Sequence, residues 1–217
     1  MGNINKSYIE SYIRELLPKK DDFLSSIEAY GNENNVPIVH PEVAQFLKVL
    51  VRMNKPKRIL EVGTAIGYSS LVMASCMDDG EIITIERNDD MVKIASENIS
   101  KNNFEDRIKI IEGDAEEVLN NLDGKFDFIF LDAAKGHYKE FFSIFIDKLN
   151  PGGIVVSDNI LFKGMIATDD LVIRRKKTIV KRMRDYLEYI SNEDSLETTV
   201  IPMGDGVAIS YKKECNQ

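Results

Sequence analysis

Tryptophan is absent from these 217 residues, and cysteine and histidine occur only twice each. Cys76 and Cys215 stand far apart, so neither a disulfide framework nor a thiolate metal site is expected, and both read as ordinary thiols. His40 and His137 have no second imidazole or cysteine at metal-ligand spacing. His40 is expected to anchor the turn before Pro41; His137, with Tyr138, either lines a pocket or packs. No apolar run approaches the roughly 18 to 20 residues of a membrane helix, and the N-terminus MGNINKSYIES lacks the basic-then-apolar order of a signal peptide. The expectation is a cytoplasmic protein with no membrane partner.

What is present is a 43% hydrophobic, 29% charged chain, the balance of one soluble globular domain spanning residues 1–217. The net charge of −8 argues against a nucleic-acid partner. Against it stands RRKKTIVKRMR, residues 174–184, with seven basic side chains and no acid.

Residues 1–55 read as a helical cap. Tyr8, Ile9, Tyr12, Ile13 and Leu16 share one helix face; Val43, Phe46, Leu47 and Leu50 repeat the spacing after Pro41, across the turn-rich link GNENNVPIVHP. Residues 56–217 read as an α/β core. Five β-branched runs, RILEVG, EIITIE, RIKIIEG, FDFIFLD and GIVVSDN, alternate with helical segments, which predicts a parallel sheet covered on both faces. ETTVIPM and GVAISYKK, joined across Gly204-Asp205-Gly206, predict an antiparallel hairpin. The expected fold is a doubly wound, mostly parallel seven-stranded sheet with a C-terminal hairpin and an N-terminal helical cap.

Ligands of such sheets sit at the carboxyl ends of the strands. The first strand ends in EVGTAIGYSS, Glu61 to Ser70, whose glycines Gly63 and Gly67 let the backbone turn tightly beside a ligand. The spacing is not G-x-G-x-x-G, and no G-K-[ST] follows, so a nucleoside cofactor without phosphate fits best. Glu86 closes the second strand at the separation expected of a carboxylate that accepts from ribose hydroxyls. Asp114 and Ala115 follow the third strand, where they could border an adenine ring.

On these residues the sequence resembles the class I S-adenosylmethionine-dependent methyltransferases, and within them the metal-dependent O-methyltransferases related to the catechol and caffeoyl-CoA enzymes. The resemblance covers essentially the whole chain. It implies S-adenosylmethionine as cofactor, held by Val39, Glu61, Gly63, Gly67, Ser69, Glu86, Asp114, Ala115 and Asp132. Ala65 stands where many methyltransferases have glycine, a change common in this subgroup.

Asp132 ends the fourth strand and Asp158-Asn159 the fifth, so if those strands are neighbours three oxygen donors converge. Two carboxylates and an amide suit Mg²⁺ or another hard divalent cation better than zinc. Otherwise Asp158-Asn159 would simply cap the following segment. Lys135, three residues after Asp132, lies within reach of a cation-bound hydroxyl and would be its base; the resemblance implies the same roles for Asp132 and Lys135.

Two acceptors are expected. In the first, IRRKKTIVKRMRDYLEYI and ETTVIPMGDGVAISYKK resemble the bacterial tRNA 5-hydroxyuridine methyltransferases, which implies methylation of the wobble base to 5-methoxyuridine. On a helix, Arg174, Lys177, Lys181 and Arg184 would share a face, with Ile173, Val180, Met183 and Leu187 toward the core. Arg174, Arg175, Lys176, Lys177, Lys181 and Arg184 would then hold a tRNA anticodon loop, although such a stripe is commonly only a solvated face. The second acceptor is a small catechol or phenol, against which the missing tryptophan counts, because the animal catechol enzymes wall their pocket with it. A non-enzymatic binding module is the third alternative. Relatives of this family are often dimers, so a homodimer is expected, and the N-terminal helices either complete the pocket or form the dimer contact.

Overall fold

The structure, a computed structural model, describes residues 4–214, so Cys215 lies outside the described residues. Three helices come first: α1 (Ser7–Glu15), α2 (Asp22–Glu33) and α3 (Pro41–Asn54), the last opened by a proline whose missing N–H costs nothing in a first turn. The link after α2 is shorter than its turn-rich composition suggests. Gly31 to Glu33 are still helical, and a side chain at Gly31 would press on Ile38 at 3.0 Å, so close packing rather than a turn explains that glycine.

Strands and helices then alternate: β1 (Arg58–Val62), α4 (Tyr68–Ala74), β2 (Glu81–Glu86), α5 (Asp89–Lys101), β3 (Ile108–Glu112), α6 (Ala115–Asn121), β4 (Phe126–Leu131), α7 (Tyr138–Phe145) and β5 (Leu149–Ser157). The chain closes with α8 (Lys177–Asn192), β6 (Leu196–Ile201) and β7 (Val207–Lys212). Helix starts follow local chemistry, as where Asn88 accepts from the backbone of Asp90 and Met91 to begin α5.

The sheet has seven strands in the order β3-β2-β1-β4-β5-β7-β6. The first five pair in parallel; β7 runs antiparallel to both β5 and β6. This is the architecture the strand pattern predicts. Successive strand residues face opposite sides, so Ile59, Ile82, Phe128, Phe130 and Val156 pack under α2 to α5, while Leu60, Val62, Ile129, Leu131 and Val155 pack under α7 and α8. Each such side chain, once buried, contributes roughly 1.5–3 kcal/mol. The strand order reverses between β1 and β4, which opens a crevice at their carboxyl ends.

The first helix forms as its spacing predicts, but it does not line the cavity at the strand ends. Tyr8, Tyr12 and Leu16 are 66%, 61% and 66% exposed, and α1 buries no residue at all. It is tied down by polar contacts, the Arg14 guanidinium on Glu42 at 2.8 Å and the Asn5 amide on the Pro202 carbonyl at 2.6 Å.

Candidate active site

A cavity of about 770 Å³ fills the crevice. Val39, Gly63, Ser69, Glu86, Asp114, Ala115, Asp132, Lys135 and Asn159 all line it, so the structure brings together at one place residues drawn from six separate segments. Two of the expected cofactor residues are set back, as is Asp158 of the expected cation ligands. Gly67 is the left-handed residue (φ 81) that starts α4, packed on Ala95, and Glu61 is fully buried beneath the turn.

At the end of the cavity beside the glycine turn, Gly63 has φ +107, and a side chain there would fall 2.1 Å from the Asp132 carbonyl oxygen, so only glycine lets β1 and β4 approach this closely. The Glu86 carboxylate is aimed by backbone N–H groups: Ala65 donates at 2.9 Å to one oxygen, Arg87 and Asn88 at 2.9 and 3.0 Å to the other. Those three bonds fix the orientation of a carboxylate that lines the cavity. Asp114 caps α6 by accepting from Glu116 N and faces the same space.

Glu61 lies one layer below. Its Oε2 accepts from Ser70 and, at 2.6 Å, from Thr84, whose hydroxyl also meets Thr64 at 2.6 Å. Burial pushes its pKa up to about 7, and the hydroxyls of Ser69, Ser70 and Thr84 pull it partway back. The other oxygen, Oε1, is buried without a hydrogen-bond partner.

At the other end, Asp158 is completely buried, with Oδ1 accepting from Asn159 N at 2.6 Å and Oδ2 unpartnered. Asn159, at φ 61, donates to Asp132 Oδ1 at 3.1 Å and accepts from Lys135 Nζ at 3.0 Å. Burial raises both aspartates, Asp158 well above the usual carboxylate range because Asp132 adds a second negative charge beside it. Tyr138 donates to the Asp158 carbonyl at 3.0 Å, and Tyr186 meets Ser157 at 2.6 Å, so the end of β5 is braced from behind. Tyr138 therefore packs, whereas His137 lines the cavity and stacks on Phe141. His40 precedes α3, with Arg14 3.1 Å from its Nδ1.

Among the described residues, no three His, Cys, Asp or Glu side chains gather as a metal site. The donor set is instead two carboxylates and an amide. A partnerless buried oxygen on Asp158 beside the negative charge of Asp132 is what a hard divalent cation would satisfy, so these residues fit one.

The basic segment is arranged differently from its spacing. Arg174 to Lys176 form a 3-10 turn and the α-helix starts only at Lys177; Ile173 is consequently 47% exposed rather than in the core, while Val180 and Met183 are buried as expected. Arg184 is turned inward, bonding the Ile166 and Met165 carbonyls and Asp169. Arg174, Arg175, Lys177 and Lys181 stay exposed. Lys176 and Arg182 line the cavity, with Lys176 5.5 Å over the Phe162 ring and Arg182 on the Gly136 carbonyl. Arg182, Phe162 and Ile179 carried no usable sequence signal: their role depends on where α8 begins and on how the loop after β5 folds back.

Residues 22–213 match the model of a family described as O-methyltransferase. The chain belongs to that O-methyltransferase family. It is 29% identical to a catechol O-methyltransferase of Niastella koreensis, over 98% of this chain and all of that protein. Among solved structures, a Staphylococcus aureus protein described as a candidate caffeoyl-CoA O-methyltransferase superposes with a TM-score of 0.89 at 38% identity, over 95% of this chain and 100% of the other. A methyltransferase of Podospora anserina bound to S-adenosylhomocysteine gives 0.87 at 26% identity, over 95% and 94%. In this family member the cavity is thus placed where α/β folds of this topology take their ligands.

Proposed function

We propose that this O-methyltransferase binds S-adenosylmethionine along Val39, Gly63, Ser69, Glu86, Asp114 and Ala115 and moves its methyl to a ring hydroxyl of a small catechol or phenol. The observation that carries the reading is the position of the partnerless oxygens. Among the described residues only Glu61 Oε1 and Asp158 Oδ2 are buried without a hydrogen bond, one below the glycine turn and one beside Asp132. The relatives named for catechol and caffeoyl-CoA favour the small acceptor over the tRNA acceptor.

A divalent cation held by Asp132, Asp158 and Asn159 would supply charge that stabilises the acceptor oxygen as it loses its proton. Lys135, as the neutral amine, takes that proton and becomes the ammonium. The freed electron pair on oxygen forms the bond to the methyl carbon, and the pair of the breaking carbon–sulfur bond returns to sulfur, leaving a thioether. Glu86 holds the ribose, Phe162 and Ile179 wall the apolar side, and alignment of this kind is worth roughly 7 to 11 kcal/mol.

A second reading, 5-hydroxyuridine in a tRNA anticodon loop, is favoured by one observation: exposed Arg174, Arg175, Lys177 and Lys181 continue outward from Lys176 and Arg182 at the cavity wall. Methyl-labelled S-adenosylmethionine offered with catechols, with caffeoyl thioesters and with tRNA from cells lacking the gene separates the two. Label in the small phenols supports the first reading and label confined to tRNA nucleosides the second. Cofactor binding with no transfer to any of them would overturn both. For assembly, we propose a homodimer, to which the exposed face of α1 would contribute; sedimentation equilibrium tests it.

A further inference from the structure

We propose that Asp205, on the turn of the C-terminal hairpin, is a positioning residue that pins the Lys135 amine at the reaction site. The inference rests on the role given to Lys135 above. Asp205 is not part of the cavity wall, and its side chain is only 14% exposed. Its Oδ2 lies 4.0 Å from Lys135 Nζ, while its Oδ1 accepts from Lys163 N.

The turn that carries Asp205 is seated firmly. The Asp205 carbonyl accepts from Leu161 N at 2.9 Å and the Gly206 carbonyl from Ile160 N at 3.0 Å. A side chain at Gly206, φ +89, would fall 2.4 Å from Leu161 Cγ, so the hairpin lies directly on the loop after β5. Lys135 therefore meets three fixed groups: the Asn159 amide oxygen at 3.0 Å, the Asp205 carboxylate, and the Phe162 ring with the amine 5.4 Å from its centroid. A free lysine samples many rotamers, and a base must sit within hydrogen-bond reach of its proton. Asn159 approaches from one strand end and Asp205 from a different hairpin, so together they remove the freedom that either alone would leave. Asp205 does not line the cavity and acts through Lys135.

Asp205→Asn separates this role from loop anchoring, because the amide oxygen still accepts from Lys163 N while the charge facing Lys135 is gone. The expected result is a fall in kcat of about tenfold, smaller than the roughly 10² to 10⁴ that losing a general base costs, with KM for the cofactor and affinity for S-adenosylhomocysteine unchanged. Asp205→Glu recovers part of the rate. In ¹H–¹³C NMR spectra the two ε-methylene protons of Lys135 are inequivalent in the native protein and merge in Asp205→Asn. Native kcat with unchanged Lys135 signals overturns the proposal, and so does a fall in kcat accompanied by lost cofactor affinity. If the native protein transfers methyl to no acceptor, the function proposed above fails, and the NMR comparison alone decides the role of Asp205.

Discussion

Replacing Glu61 by glutamine probes the energetics of the cavity floor directly. With its folded pKa raised from 4.5 to about 7, native Glu61 holds a proton that the unfolded chain releases across that interval. The stabilisation from that proton is fully present below pH 4.5 and is lost as pH climbs to 7. A displacement of this size corresponds to about 3 kcal/mol. The amide in Glu61→Gln does not titrate, so the variant should gain about 3 kcal/mol relative to the native protein between pH 4.5 and pH 7.5. For a chain of this length that equals roughly 6 to 12 °C in the difference of melting temperatures. The assay is thermal unfolding of both proteins from pH 4 to 8 without cofactor. Taking the difference cancels the other carboxylates, because Asp132, the carboxylate that acts on Glu61, is the weakest influence on it. A difference that stays flat across the interval would refute the assignment of a buried carboxyl that keeps its proton up to about pH 7.

Asp132→Ala and Asp158→Asn should each abolish methyl transfer with the far-UV circular dichroism unchanged, and full turnover in excess EDTA would remove the cation from the account. Mg²⁺ at 100 times its dissociation constant should stabilise the native protein by about 2.7 kcal/mol and Asp158→Asn far less, as read by thermal shift. Gly63→Ala should cost more than about 2 kcal/mol in urea unfolding, because an unfavourable φ is combined with a backbone overlap; native-like stability in that variant would mean that β1 and β4 are not so closely apposed. Replacing Arg174, Arg175, Lys177 and Lys181 by alanine should lower the salt slope of tRNA binding by roughly 3 if those side chains meet phosphates, and leave it unaltered if they are merely solvated.

The strand ends were legible because a parallel sheet forces chemistry to its carboxyl edge: Gly63, Glu86, Asp114, Asp132 and Asn159 could be read off as the residues that follow apolar runs. The depth of each residue was not legible. Glu61 belongs to the same motif as Gly63, yet it still lies inside β1, and its side chain is buried under the turn against Ser70 and Thr84 rather than in the cavity. The basic segment misled for a related reason. Counting three and four from Arg174 presumes a helix already running there, but the helix starts at Lys177, which puts Lys176 and Arg182 at the cavity and draws Arg184 into the loop after β5. Asp205 looked like ordinary turn chemistry. Its proximity to Lys135 arises from pairing between distant segments, which no local pattern encodes.

The placement of β7 between β5 and β6 has a consequence for synthesis. β7 is synthesised after β6 yet enters the sheet between β6 and β5, so until β7 is made β5 waits with one flank of N–H and C=O groups unpaired. Chains cut short before Gly204 would keep that flank open and lack the turn that packs against the loop bearing Asn159. Such fragments should adhere to one another through β5, whereas a chain that includes β7 covers that flank itself.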